Sequence, residues 1–164
     1  MPAGNAMDWI CQLAPAADLG DVGATPRRAA ANVLELSELI LPQQANHYGT
    51  LFGPNALALL GKAAFLVAAR FTRQSVVMAA ARAIEFLAPV PVGALLVVRA
   101  RVARVGRTSM TVRVVAAFDT APGIHAEEVL RGEFEMVAVD ELGRPTPVRA
   151  PAATADTAFA APAA

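Results

Sequence analysis

Residues 53–71 read GPNALALLGKAAFLVAARF, and the fold turns on this stretch. Gly53-Pro54 opens it; proline suits the first helical turn, where its missing N–H has no partner and its φ is already helical. The residues that follow are apolar nearly all round, broken by Lys62 and closed by Arg70. That pattern predicts a helix from Gly53 to about Phe71, buried on most sides. Its apolar part, Ala56 to Ala69, is too short to span a bilayer. A helix of this kind needs a wide apolar cover, which the flanks must supply.

Working outward, the flanks read as strands. Val33 to Leu41 places Leu34, Leu36 and Ile40 on one face. Pro42 to Gly49 is a polar loop. Ser75 to Leu87 reads as a strand that stops at Pro89. From Ala94 to Arg104, Leu96, Val98, Ala100 and Val102 face one way and Arg99 and Arg101 the other. Thr108 to Phe118 and Val129 to Val139 follow; in the second, Leu130, Phe134 and Met136 alternate with Arg131, Glu133 and Glu135. One strand, one long helix and four strands joined by short connections imply a largely antiparallel sheet. The class is α+β: an antiparallel sheet wrapped around one long central apolar helix, with edges that invite pairing with a second copy.

Composition agrees. Of 164 residues 55% are hydrophobic and only 17% charged, so the chain can bury a large core and still expose apolar surface, which favours an oligomer. Fourteen basic and fourteen acidic side chains cancel, leaving no net field to draw nucleic acid. One cysteine, Cys11, excludes an internal disulfide framework, and two histidines, His47 and His125, leave little for a metal centre. Residues 1–32 are rich in Ala, Pro and Gly without periodicity, and 145–164 are similar. Both are expected to be poorly ordered arms around a domain at 33–144. The N-terminus lacks a basic region before its short apolar patch, so the expectation is a cytoplasmic protein with no membrane or nucleic-acid partner.

Three segments carry a resemblance. The first is Asn46-His47-Tyr48-Gly49-Thr50-Leu51-Phe52-Gly53, the second Ile84-Glu85-Phe86-Leu87-Ala88-Pro89-Val90-Pro91-Val92-Gly93, the third Val105-Gly106-Arg107-Thr108-Ser109-Met110. In order and spacing they resemble the hotdog-fold acyl-CoA thioesterase family, over roughly residues 33–148. The resemblance implies the hotdog fold and hydrolysis of acyl-CoA thioesters without a separate cofactor, coenzyme A being part of the substrate. It also implies a homodimer, assembled as a trimer of dimers, with active sites at the dimer seam. An asparagine and the helix-start N–H groups would hold the thioester carbonyl, and an acid on the partner's helix would direct water.

On this sequence the asparagine is Asn46 and the helix start is Gly53. The start of a helix offers unpaired N–H groups and the positive end of its dipole, suited to a polarised carbonyl. Asn46 serves equally well as a loop residue making a local turn. The family's acid falls at Gly61, and no carboxylate occurs between Pro54 and Phe71. Pro54 removes one N–H donor, and Met78 stands where the family commonly has threonine. His47 has the side-chain chemistry of a general base; an exposed loop histidine is the other reading. Glu85 is expected to face solvent and Lys62 to snorkel along the helix edge. Gly106, Arg107, Thr108, Ser109 and Arg104 are the candidate contacts to coenzyme A, or an ordinary hairpin turn. Leu57, Leu60 and Ala64 would line an acyl tunnel, a stripe indistinguishable from plain core. The alternative functions are a hotdog protein that binds acyl-CoA without cleaving it, and a dehydratase of the same fold.

Overall fold

The structure is a computed structural model and describes residues 32–118 and 127–149. Cys11 and His125 lie outside the described residues. Chain order is β1 (Val33–Leu39), a short 3-10 turn (Pro42–Gln44), α1 (Gly53–Thr72), β2 (Ser75–Phe86), β3 (Leu95–Val105), β4 (Ser109–Phe118) and β5 (Glu127–Val139). The strands form one sheet in the order β1-β3-β4-β5-β2, every pair antiparallel. The helix and all five strands thus stand where the periodicity puts them, within a residue or two at the ends.

Register shows how alternation builds the core. Leu36, Val98, Ala116, Leu130 and Phe86 lie in one row across all five strands, on the face that meets α1. The adjoining row, Glu35, Arg99, Val115, Arg131 and Glu85, lies on the opposite face. There Glu35 pairs with Arg99 at 2.7 Å, Glu133 with Arg113 at 2.8 Å and Glu85 with Arg131 at 2.6 Å. One sheet face is therefore apolar and the other charged, as an antiparallel sheet covered on one side requires.

The helix touches all five strands. Leu60, Ala63, Ala64, Val67 and Ala68 are fully buried, against inward residues such as Phe134 and Met136. Each large side chain buried here contributes about 1.5–3 kcal/mol. Burial is less complete than the sequence suggests: Leu57, Phe65 and Leu66 form an exposed stripe, because a single sheet covers only one side of the helix. By length and composition α1 could cross a membrane, but it is the core helix of this sheet, half buried. The chain leaves the helix through Arg73 at φ 54, with the Arg73 N–H donating to Ala69 O.

Residues 145–149, assigned to the C-terminal arm by composition, are tied to the body. Thr146 N–H donates to Ala138 O, Val148 N–H to Arg107 O and Arg149 N–H to Gln74 Oε1. Val148 also packs against the core.

Candidate active site

The segment between the 3-10 turn and α1 is held from within. Asn46 Oδ1 accepts the N–H groups of Tyr48 (2.9 Å) and Thr50 (3.3 Å), and Asn46 Nδ2 lies 3.1 Å from Thr50 Oγ1. This is the local turn, and it also fixes the amide in one orientation. Gly49, at φ 75, makes the reversal that only glycine adopts cheaply. The loop is then stitched to the β2–β3 connection: Leu51 N–H donates to Val90 O and Val92 N–H to Gly49 O. Gln44 O takes both Phe52 N–H (2.9 Å) and Asn55 Nδ2 (3.0 Å), which docks the loop onto the helix start.

That helix start has no side-chain cap, and its first intrahelical donor is Ala56 N–H to Phe52 O. Pro54 has no N–H, so the orphan donors are those of Gly53 and Asn55. Phe86 lies beside the helix start: its ring is 3.9 Å from where a Cβ of Gly53 would stand. A cavity of about 240 Å³ opens there, lined by Leu51, Gly53, Ala56, Phe86, Pro89 and Leu130. The arrangement is an apolar recess beside the first turn of α1, competent to receive an apolar group whose carbonyl meets the helix start.

His47 is exposed, its ring 3.9 Å from that of Tyr48. Gly61 is buried, and a Cβ there would stand 2.9 Å from Met78 Cε. This contact was not readable in the sequence, which gave no sign that the Met78 side chain turns onto the helix. Leu60 and Ala64 are core, so of the proposed tunnel stripe only Leu57 is accessible. Glu85 faces away, its hydrogen bond and charge raising the Arg131 pKa above the ordinary value. Lys62 is 3.9 Å from Glu38, and Gln44 Nε2 donates to the same carboxylate at 3.2 Å.

The second group of candidates sits elsewhere. Gly106 N–H donates to Ser109 O at 2.7 Å, closing a tight turn with Arg104 and Arg107 exposed beside it. Thr108 O and Arg107 O accept from Ala138 and Val148. The turn lies at the far end of β3 from Asn46, since Leu39 pairs with Leu95. Eleven residues of strand span roughly 35 Å. One chain therefore does not bring Asn46 and Arg107 together. Among the described residues no group of three or more His, Cys, Asp or Glu is placed to hold a metal.

Residues 48–117 match the family model of the thioesterase superfamily. An uncharacterized acyl-CoA thioester hydrolase of Zymomonas mobilis is 39% identical over 110 residues, covering 67% of this chain and 74% of that protein. Protein VdlD of Helicobacter pylori is 32% identical over 115 residues, covering 70% of this chain and 66% of that one. Among solved structures, the acyl-CoA hydrolase of Staphylococcus aureus in complex with butyryl coenzyme A and coenzyme A superposes with a TM-score of 0.69, at 27% identity and 72% coverage of each chain. A hexameric acyl-CoA thioesterase superposes at 0.68 with 33% identity, covering 72% of this chain and 76% of that one. The Staphylococcus enzyme has also been solved with an asparagine, an aspartate and a threonine replaced singly by alanine. Their mutual spacing in that chain equals the spacing of Asn46, Gly61 and Met78 here.

Proposed function

We propose, because this chain belongs to the thioesterase superfamily, that it hydrolyses acyl-CoA thioesters at a site formed where two copies meet. The observation that carries this reading is the uncapped helix start at Gly53, set between the Asn46 loop and the Phe86 recess. The thioester carbonyl accepts from the Gly53 and Asn55 N–H groups and from the Asn46 amide. Water adds to the carbonyl carbon, the C–S bond breaks, and the proton lost by water ends on the departing sulfur. His47 carries that proton, since no carboxylate stands on α1.

The second copy follows from the edge. β2 has no neighbour on its outer side among the described strands, and Val77, Met78 and Phe86 are exposed along it, beside Leu57 and Phe65 of α1. A two-fold axis that keeps both helices on one side of the joined sheet makes the two β2 strands antiparallel. The Phe86 end of one strand then lies beside the partner's Val77 end. Val77 and Ser109 share the partner Val137 on β5, so the Gly106–Ser109 turn belongs to that end. In this arrangement Arg104 and Arg107 of one copy come near Asn46 of the other, in reach of the phosphates of coenzyme A. A trimer of such dimers, without nucleic acid or membrane, in the cytoplasm, completes the reading; the hexameric relative supports the assembly.

A second reading, binding without cleavage, is favoured by Gly61 alone. One experiment separates them: thiol release from short-, medium- and long-chain acyl-CoA, beside calorimetric titration of the same compounds. Turnover above buffer supports the hydrolase. Saturable binding without thiol release supports the second reading, and neither signal rejects both.

A further inference from the structure

Residues 145–149 cross the end of the sheet as a strap, and a local turn sends them there. Asp140 Oδ1 accepts the N–H groups of Leu142 and Arg144 at 2.9 and 2.8 Å, and Gly143 sits at φ 75. This turn folds the chain back after β5, and Pro145 bridges Val139. Along the strap, alternate residues then bond to opposite sides. Thr146 N–H and Val148 N–H donate to Ala138 O and Arg107 O, both at 2.9 Å. The backbone groups between them turn the other way and meet one side chain. Gln74 Nε2 donates to Pro147 O at 3.2 Å, and Gln74 Oε1 accepts from Arg149 N–H at 2.8 Å. A single amide thus takes the part of a neighbouring strand.

Gln74 is itself placed by the helix end. Arg73, in the left-handed conformation, turns the chain out of α1, and Gln74 N–H donates to Oγ1 of the buried Thr72 at 3.1 Å. Ser75 follows, pairs with Val139 and opens β2, the strand of the proposed seam. On the Gln74 side the strap borders an open cleft of about 560 Å³, lined also by Arg73, Ser75, Asp140 and Leu142, so that edge is held by hydrogen bonds rather than by packing. On its other edge the strap meets the Gly106–Ser109 turn. β5 holds that turn at Thr108 O, through Ala138 N–H, and the strap holds it at Arg107 O, through Val148 N–H. The Arg107 side chain beyond this tie is exposed.

We propose that Gln74 is a positioning residue for coenzyme A: by clamping the strap it fixes the backbone at Arg107, and so aims that guanidinium at the phosphates of a substrate whose thioester lies in the partner's site. This rests on the seam site proposed above, in which the Arg107 end of one copy meets the Asn46 end of the other. Gln74 touches no substrate and takes no part in the bond changes. Its loss weakens the hold on the phosphates and leaves the chemical step alone, which is a change in KM and not in kcat.

The test compares butyryl-CoA with butyryl-pantetheine, which carries the same reacting bond without the phosphates and nucleotide. Gln74→Met keeps the reach of the side chain and removes both hydrogen bonds. Its KM for butyryl-CoA should rise at least about fivefold, with kcat and the KM for butyryl-pantetheine each within about twofold of the natural chain. An unchanged KM for butyryl-CoA overturns the proposal. A KM that rises equally for both thioesters, or a fall in kcat alone, also overturns it, since a merely structural tie behaves that way. Calorimetry with coenzyme A completes a cycle with Arg107→Ala. Gln74→Met should weaken binding at least about fivefold in the natural background and less than about twofold once Arg107 is gone; equal losses overturn the link between the two residues. If Gln74→Met does not fold, Gln74→Ala is held to the same outcomes. If the natural chain binds butyryl-CoA without cleaving it, dissociation constants replace KM under the same limits. A natural chain that neither cleaves nor binds overturns this inference together with the seam site, whereas an active chain indifferent to Gln74→Met overturns the inference alone.

Discussion

Asn46 does two jobs with two ends of one amide, and substitution can separate them. Its Oδ1 holds the loop through Tyr48 and Thr50, while Nδ2 is the donor assigned to the thioester. Asn46→Asp keeps the acceptor and loses the donor. The melting temperature should stay near that of the natural chain while kcat falls roughly 100-fold, the usual cost of one oxyanion donor. Asn46→Ala should lose both, with about 1 kcal/mol of stability per hydrogen bond removed. Equal activity for Asn46→Asp and the natural chain would reduce the residue to a turn former. Gly132 shows a purely structural constraint: a Cβ there would run into Ile84 Cδ1 and meet the Phe134 ring at 3.3 Å. Gly132→Ala should destabilise by about 1–3 kcal/mol through overpacking, and Ile84→Ala should recover part of it in a denaturant titration. Glycines at 61 and 132 are both visible in the sequence, but the nearest side-chain atom each faces comes from β2, whose side-chain contacts no local pattern encodes.

At the scale of elements, legibility followed periodicity. β3 and β5 alternate cleanly, and their inward sets were readable residue by residue. β2 was readable as an extent and at its end, where Glu85 was expected to face solvent and does. Four of the six residues of its middle, Met78 to Ala83, are alanine, so nothing marks the shifts in register after Met78 and after Arg82, or the positive φ of Ala83. The two shifts cancel, so Ile84 and Phe86 return to the face of Val76 and Met78, while between the shifts Ala81 faces inward and Arg82 outward opposite Glu133. The helix start was legible from Gly53-Pro54, whereas its exposed stripe was not, since hydropathy does not say how much of a rod one sheet can cover. The two faces of β2 make a prediction. Glu85 is exposed and ion-paired with Arg131, a contact worth at most about 1 kcal/mol, and it points away from the seam. Glu85→Gln should therefore leave acyl-CoA turnover within twofold in a steady-state assay. A large loss would mean that the strand turns its carboxylate into the site.

At the scale of the molecule, the proposed reading requires a partner, because one chain holds the two candidate groups far apart. Asn46 and the Gly106–Ser109 turn lie at opposite ends of β3, yet the thioester and the phosphates of coenzyme A belong to one substrate. The proposed antiparallel pairing of two β2 edges would give each site Asn46 from one copy and Arg107 from the other. Apolar side chains exposed on α1 and β2, Phe65 and Met78 among them, supply the surface to hold the pair. Phe65→Glu sets two like charges close to the two-fold, so light scattering should show monomers, with turnover lost although Phe65 is three turns from the helix start. A sharper test uses two inactive proteins. Asn46→Ala damages one half of the site and Arg107→Ala the other, so after subunit exchange each mixed dimer holds one intact site and one doubly damaged site. Equal mixing makes half the dimers mixed, so activity should return to about a quarter of the natural value. A site built within one chain would give no recovery, because every site in the mixture would keep one lesion.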